Sequence, residues 1–351
     1  MDKKPEILVV DDEPNNLRLV NEILKKDYKL YLAPSGAYAL EFLKKRIPNL
    51  ILMDVLMPNM DGYEVMRRIK GNEAYKNIPV IFLTGLEGRD NEQAALDMGA
   101  VDYVLKPIAA GILTARIGLH IELEKYRKHL EEEVDIRTSQ LLRTQDAVLS
   151  MLAKMTEVRD NDTGTHIKRT TSYTRMLVDH LKQLDIPNYR IEPTYGKNII
   201  NAAKLHDIGK IAVGDEILLK TGKLTPEEFD RIKQHTVYGA QVIDEAISDL
   251  GDSGSFLAVA REIIISHHEK WDGSGYPHQL KGEEIPLSGR IMAIADVYDA
   301  LITQRPYKPA FTHEVAIETI FNEAGTHFDP YLVEYCKDVI TAFKDVSDIL
   351  E

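Results

Sequence analysis

Cysteine is almost missing from this chain. The 351 residues hold one, Cys336, so a disulfide framework is excluded. An excess of basic charge is missing too: Lys and Arg total 43 against 56 Asp and Glu, a formal net charge of −13. A dedicated binder of nucleic acid or anionic membrane needs a basic field to recruit it, and this chain lacks one. Phosphate substrates stay open, because a bound metal ion reverses the sign of the local field. No apolar run approaches the ~18 residues of a membrane span. The start Met1-Asp2-Lys3-Lys4-Pro5 leads to a short apolar stretch, Ile7 to Val10, before Asp11, too short for the core of a signal peptide. A helix-turn-helix pattern with a basic face is also lacking, which argues against DNA as a partner. The expectation is a cytoplasmic protein with neither DNA nor membrane as partner. Hydrophobic residues at 44% and charged residues at 28% fit globular structure rather than disorder. At ~150 residues per domain the length suggests about two domains.

The first 105 residues alternate short apolar runs with helical patterns. Ile7–Val10, Lys29–Leu32, Leu50–Met53, Val80–Leu83 and Tyr103–Leu105 read as buried strands. Leu17–Leu24, Ala37–Leu43 and Tyr63–Ile69 carry helical periodicity;. Five strands interleaved with helices predict an open parallel sheet covered on both faces, with functional groups at the carboxyl ends of the strands. Asp11 and Asp12 follow the first strand, Asp54 the third, Thr84 the fourth and Lys106 the fifth. Carboxylates gathered at one edge repel unless a cation sits among them, and hard oxygen donors suit Mg²⁺. Lys106 and Thr84 would stabilise charge on a transferring phosphoryl group. Asp54 is the expected nucleophile and phosphorylation site.

These segments, Val9-Val10-Asp11-Asp12-Glu13-Pro14, Met53-Asp54 through Asp61-Gly62, Leu83-Thr84-Gly85 and Leu105-Lys106-Pro107, resemble the CheY-like receiver domain of two-component response regulators. The resemblance implies a flavodoxin-like α/β fold, phosphorylation by a sensor histidine kinase, a cis Lys106–Pro107 peptide, and Tyr103 as an aromatic switch near the site. A packing role for Tyr103 is equally compatible with the sequence.

From Ile108 to Arg159 the composition turns to Glu, Lys, Arg, Leu and Gln, with no proline, which favours helix. Leu119, Leu123, Tyr126, Leu130 and Val134 fall at three- and four-residue steps. The seam continues less cleanly through Leu141 and Val148, with Arg137 at an inward position. A helix of ~40 residues spans ~60 Å. With so narrow an apolar stripe it is expected to pair with a second copy as a parallel homodimer.

Past Arg159 the pattern is helical throughout. Thr225-Pro226-Glu227-Glu228 and Asp329-Pro330 are helix starts;. Histidines and acids carry the chemistry: His166 four residues after Asp162, then His206-Asp207, His235, His267-His268 and Asp296. Residues four apart on a helix share a face, and adjacent ones differ by ~100° about the axis, so both can reach one pocket. Asp207 can bridge two cations. Asp296 lies in an apolar run, Ile294-Ala295-Asp296-Val297, where an unpaired carboxylate is costly and a metal resolves the cost. Imidazole with carboxylate suits Fe, Mn or Zn rather than Ca²⁺ or Mg²⁺. His120, His129, His180, His278, His313 and His327 are read as ordinary core or surface histidines.

His206-Asp207-Ile208-Gly209-Lys210 resembles the HD superfamily of metal-dependent phosphohydrolases. The segment from His267 to Gly275-Tyr276-Pro277 resembles its HD-GYP subfamily, which hydrolyses the cyclic dinucleotide c-di-GMP. Asp162 through His166, His235 with Gly239, Arg290 through Ala300, and Arg305-Pro306-Tyr307-Lys308 complete the match. The resemblance implies His206, Asp207, His235, His267, His268 and Asp296 as metal ligands, with His166 and Asp162 at the positions of a further site. Asp162 stands where many members have Glu, so the expectation is two divalent metals, Fe or Mn before Zn or Ni, rather than three. Lys210 matches the catalytic lysine, stabilising transition-state charge or protonating the leaving oxygen. Asp207 joins it in the catalytic set. Arg305 and Lys308 match phosphate contacts. Tyr276 either contacts a base or ribose or anchors its loop.

The reading is a multidomain protein: receiver 1–120, connecting helix 108–158 overlapping both neighbours, and an all-α HD-GYP domain 145–351. Its activity would be hydrolysis of c-di-GMP to pGpG, and on to GMP, by metal-activated attack of water on phosphorus. The competing readings are a non-catalytic module binding nucleotide or protein, and the same chemistry on 3′,3′-cGAMP or pGpG. The exposed GYP loop could also contact a diguanylate cyclase or an adaptor.

Overall fold

The computed structural model describes residues 4–85, 96–160, 165–184, 186–250, 256–304 and 310–350. It divides into two compact units, Met1–Ser139 and Gln140–Glu351.

The first unit is a five-stranded parallel sheet in the order β2-β1-β3-β4-β5;. The strands are β1 (Glu6–Val10), β2 (Lys29–Ala33), β3 (Leu50–Asp54), β4 (Val80–Thr84) and β5 (Asp102–Leu105). Side chains alternate across a strand, and the central strands are apolar on both faces. Leu8, Val10, Ile51, Met53, Val80 and Phe82 pack against α2 (Gly36–Leu43) and α3 (Gly62–Lys70). Ile7, Val9, Leu50, Leu52, Ile81 and Leu83 pack on the other face against α1 (Pro14–Leu24) and the first turns of α4 (Ala110–Arg159), through Leu113 and Ile117. The strand order reverses between β1 and β3, the crevice where such sheets place ligands. Each expected strand is present, extended by one residue.

Helix α4 is continuous for 50 residues, ~75 Å at 1.5 Å per residue, where the sequence places the connecting helix at 108–158. Its seam residues Leu119, Leu123, Tyr126, Leu130, Val134, Leu141 and Val148 are 45–69% exposed. Arg137 pairs with Glu133, one turn earlier, at 3.2 Å.

The second unit is helical: α5 (His166–Leu181), α6 (Pro193–Ala202), α7 (Asp215–Leu218), α8 (Pro226–Lys233), α9 (His235–Leu250), α10 (Phe256–Ser266), α11 (Leu287–Ile302), α12 (His313–Asn322), α13 (Pro330–Tyr335), α14 (Lys337–Thr341) and α15 (Phe343–Leu350). Among the described residues it has no strand, only an isolated bridge between Ala324 and Phe328. One core runs through it, built on Leu177, Ile199, Ile263, Ile264, Met292 and Ile294, with Tyr173 edge-on to Tyr298 at 5.0 Å. The expected helix starts hold. Thr225 and Glu228 form a reciprocal capping box on α8, and the Asp329 carboxylate accepts from the Tyr331 and Leu332 amides of α13. No helix of the described residues is long and apolar enough to cross a membrane.

Candidate active sites

In the first unit, Asp11, Asp54, Thr84 and Lys106 stand at or just beyond the carboxyl ends of β1, β3, β4 and β5. Asp11, Asp12 and Asp54 each offer an oxygen within 4.8 Å of the others. Lys106 Nζ lies 2.9 Å from both Asp11 Oδ2 and Asp54 Oδ2. Burial raises the Asp54 pKa, and the Lys106 ammonium opposes it. Asn16, which carried no sequence signal, donates to both Asp11 oxygens at 3.1 Å. The Lys106–Pro107 peptide is cis. Tyr103 is half-buried, with the Arg116 guanidinium 5.5 Å from its ring centroid.

In the second unit, two groups of ligand atoms form, each within 4.8 Å: Asp207, His235, His267 and His268, and beside them His166, His206 and Asp296. Asp207 joins the groups. Its Oδ1 is 3.3 Å from His235 Nε2 and 3.8 Å from His267 Nε2, and its Oδ2 is 3.3 Å from His206 Nε2. Asp296 Oδ1 lies 3.7 Å from both His166 Nε2 and His206 Nε2.

Most of these residues stand at helix ends, and the physical reason is visible in their Nδ1 partners. A helix ends with carbonyls that have no partner inside the helix. His267, just past α10, directs Nδ1 to Ile263 O and Ile264 O at 3.0 and 3.1 Å. His235, just past α8, directs Nδ1 to Ile232 O at 2.7 Å. His206 follows the 3₁₀ turn Ala203–Leu205 and reaches Ala203 O at 2.8 Å. His166 reaches a carboxylate instead, Asp299 Oδ2 at 2.8 Å. With Nδ1 directed to an acceptor in each case, Nε2 is aimed inward, the arrangement by which outer partners fix a metal-binding imidazole.

Close backbone approach brings the pieces together. A Cβ on Gly209 would overlap the His235 carbonyl oxygen and stand 2.5 Å from Gly239 N. Glycine at 209 therefore lets the segment bearing His206 and Asp207 press against the start of α9.

The interior fits a cation. His235 Nε2, His267 Nε2 and Asp207 Oδ1 are buried with no hydrogen-bond partner among the described residues, although such atoms are normally satisfied. The Nε2 atoms of His166 and His206 face each other at 3.3 Å, so two lone pairs meet unless a proton or a metal lies between them. Burial, with the neighbouring imidazoles, holds His268 well below the usual histidine range, and burial also lowers His267. Burial opposes charge on His206 too, but Asp207 outweighs it and raises the pKa to about 9. Asp207 stays far below the usual carboxylate range against its own burial, held there by Lys210 and His206.

Lys210 Nζ lies 2.7 Å from Asp207 Oδ2 and 2.7 Å from Asp160 Oδ2. Tyr276 packs its ring on His268 at 4.8 Å, and burial raises its hydroxyl pKa. Asp162, Arg305 and Lys308 lie outside the described residues. The histidines read as ordinary find partners elsewhere, such as His180 on Tyr335 O at 2.9 Å, His313 on Tyr298 at 2.7 Å and His327 on Glu323 at 3.0 Å.

Sequence reasoning missed several contributors. Asp299 orients His166 and is itself gripped by Arg169, through Nε at 2.6 Å and Nη2 at 2.9 Å. Its spacing, one turn after Asp296, was the available signal. Asp160 gave none, being one acid among several. Buried Glu269 accepts from the amides of His278 and Leu280 at 2.7 and 3.1 Å, fixing the loop that carries Tyr276.

Comparison with known proteins agrees with this geometry. Residues 7–118 match the response regulator receiver domain and residues 161–332 the HD domain. A protein of Vibrio cholerae serotype O1 named a probable cyclic di-GMP phosphodiesterase is 44% identical over 335 residues, covering 93% of this chain and 76% of that protein. The cyclic di-GMP phosphodiesterase response regulator RpfG of Xanthomonas campestris pv. campestris is 35% identical, covering 93% and 86%. A cyclic di-GMP phosphodiesterase of Thermotoga maritima is 32% identical, covering 98% and 92%. Two domain matches in the order of the two units, and relatives aligned along nearly the whole chain, place this protein in the family of response regulators that join a receiver domain to an HD-type cyclic di-GMP phosphodiesterase.

Proposed function

We propose that this chain is a phosphorylation-regulated enzyme that hydrolyses c-di-GMP to pGpG, and on to GMP. The observation that carries the reading is the pair of ligand groups joined by Asp207, with buried, partnerless nitrogen and oxygen atoms facing inward. Asp207, His235, His267 and His268 would hold one divalent metal, and His166, His206 and Asp296 a second. Borderline imidazoles with hard carboxylates favour Fe or Mn, with Zn and Ni next. Such cations supply an activated water and a polarised phosphoryl oxygen.

The chain's own groups do the rest. Lys210 keeps its ammonium charged, because Asp207 and Asp160 outweigh its burial. It is therefore placed to stabilise negative charge developing on phosphorus. Asp207 holds Lys210 beside the ligand groups. Tyr276, tilted against His268 at 4.8 Å, is assigned to a base or ribose, and Arg305 and Lys308 are assigned to the substrate phosphates.

In the receiver, Asp54 accepts the phosphoryl group from a sensor histidine kinase. Asp11, Asp12 and Asp54 hold Mg²⁺, and Lys106 and Thr84 meet the phosphoryl oxygens. The exposed seam of α4 pairs with a second copy of the chain. The GYP loop is a contact surface for a diguanylate cyclase or adaptor.

The test is turnover by the purified full chain loaded with Mn²⁺ or Fe²⁺, compared across c-di-GMP, 3′,3′-cGAMP and pGpG. The reading expects the highest kcat/KM on c-di-GMP and loss of turnover in the His206→Ala, Asp207→Ala double variant. Undiminished turnover in that variant refutes it.

A further inference from the structure

The last residue of α4 is bonded away from its own helix. An arginine at a helix C-terminus commonly serves the carbonyls of that helix. Arg159 instead reaches the segment that carries Lys210. Its Nη1 donates to Lys210 O at 3.2 Å and to Ile211 O. Its Nη2 donates to Val213 O at 2.7 Å and to Asp215 Oδ1 at 2.9 Å, and its Nε to Asp215 Oδ1 at 3.2 Å. A guanidinium has five N–H donors in a rigid fork, and all five are used on residues 210–215.

The next residue acts on the same lysine from the other side. The Asp160 amide still bonds to Thr156 O at 3.1 Å, so Asp160 belongs to the last turn. Its carboxylate accepts from Lys210 Nζ at 2.7 Å. Two consecutive residues thus hold both the backbone and the ammonium of Lys210, which forms part of the 3₁₀ turn Ile208–Ala212 directly after Asp207. Through this turn, the position of the end of α4 sets the position of Lys210.

We propose that Arg159 is a positioning residue, tying the end of α4 to the 210–215 segment so that a displacement of the helix moves Lys210 relative to Asp207. The consequence rests on the proposed hydrolysis: α4 begins on the sheet of the receiver unit, through Leu113 and Ile117, and is unbroken to Arg159. A change arriving along the helix therefore reaches Lys210 through two consecutive residues, Arg159 and Asp160. Lysine cannot replace Arg159, because a single ammonium cannot span three carbonyls and a carboxylate.

The experiment compares full-length wild type with Arg159→Lys and Arg159→Gln, each metal-loaded. The readouts are metal content, amide hydrogen exchange over 208–215, and kcat and KM with and without beryllofluoride. The expected result is wild-type metal content, faster exchange over 208–215, a kcat at least tenfold lower with KM within about twofold, and a beryllofluoride response reduced to a ratio near one. Should either variant fail to fold, Asp215→Asn removes only the exposed carboxylate under the fork and is expected to move exchange and the beryllofluoride ratio in the same directions. Wild-type exchange, kcat and beryllofluoride response in the folded variants overturn the proposal. Exchange does not depend on substrate, so faster exchange in variants of a chain whose wild type does not hydrolyse c-di-GMP would leave the tie standing and remove the proposed activity instead.

Discussion

Replacing Gly209 with alanine tests whether close backbone contact assembles the metal-binding groups. The added Cβ would stand 2.8 Å from the His235 carbonyl carbon and 2.5 Å from Gly239 N. These are backbone atoms, so no flexible side chain can swing aside. Restoring an ordinary separation of ~3.4 Å from Gly239 N parts the two segments by about 0.9 Å, and the His235 carbonyl oxygen, the nearest atom, demands more;. His235 is at that contact, and Asp207 is two residues from it, so their 3.3 Å approach opens by a comparable amount. Overpacking of this kind costs about 1–3 kcal/mol of stability. Misplacement near an ångström at reacting groups costs up to about 100-fold in rate. Gly209→Ala is therefore expected to melt several degrees lower, to bind metal at least tenfold more weakly, and to turn over 10- to 100-fold more slowly at matched metal occupancy. Metal titration, thermal melts and single-turnover hydrolysis measure the three. Wild-type metal affinity and turnover in a folded Gly209→Ala protein would refute the argument that this glycine assembles the site.

Other expectations follow from the same geometry. Asp299→Asn removes the buried charge that orients His166 and that Arg169 grips, so stability should fall by about 3 kcal/mol and metal affinity by 10- to 100-fold, both readable by melts with and without metal. His206 has its metal-free pKa raised from 6.5 to about 9. Its contribution to metal-free stability is therefore complete below pH 6.5 and lost as pH rises through about 9. A metal must displace that proton, so apparent metal affinity should climb with pH from neutrality and level off near pH 9, with proton release on binding at pH 7.5; pH-independent affinity would contradict the shift. Leu130 lies mid-seam and is 57% exposed, so if the proposed pairing of α4 holds, wild type runs as a dimer by light scattering and Leu130→Lys as a monomer, with the receiver's melting transition in place.

The receiver was legible because each of its signals is local. Apolar runs mark the strands, and the residue after each run falls at the sheet edge by topology alone, so Asp11, Asp54, Thr84 and Lys106 could be placed before any coordinates. The candidate ligand set in the second unit was legible as residue types. Its arrangement was not, because it depends on contacts between helices distant in sequence. The spacing of His206, His235 and His267 says nothing of helix-end carbonyls taking Nδ1, nor of the division into two groups around Asp207. Arg159 and Asp160 stayed hidden for a related reason: on a charged helix one more Arg-Asp pair is unremarkable until the chain folds it against residues some 50 positions away. The extent of α4, Ala110–Arg159, was legible from composition, because good helix formers carry the backbone through the imperfect stripe near Arg137.

The central claim is that two metals sit on either side of Asp207. Anomalous diffraction from crystals grown with Mn²⁺ or Fe²⁺ addresses it most directly. The account predicts two peaks in the second unit, one among Asp207, His235, His267 and His268, the other among His166, His206 and Asp296. A hydrolytically active crystal with its metal elsewhere, or with density in neither group, would contradict it.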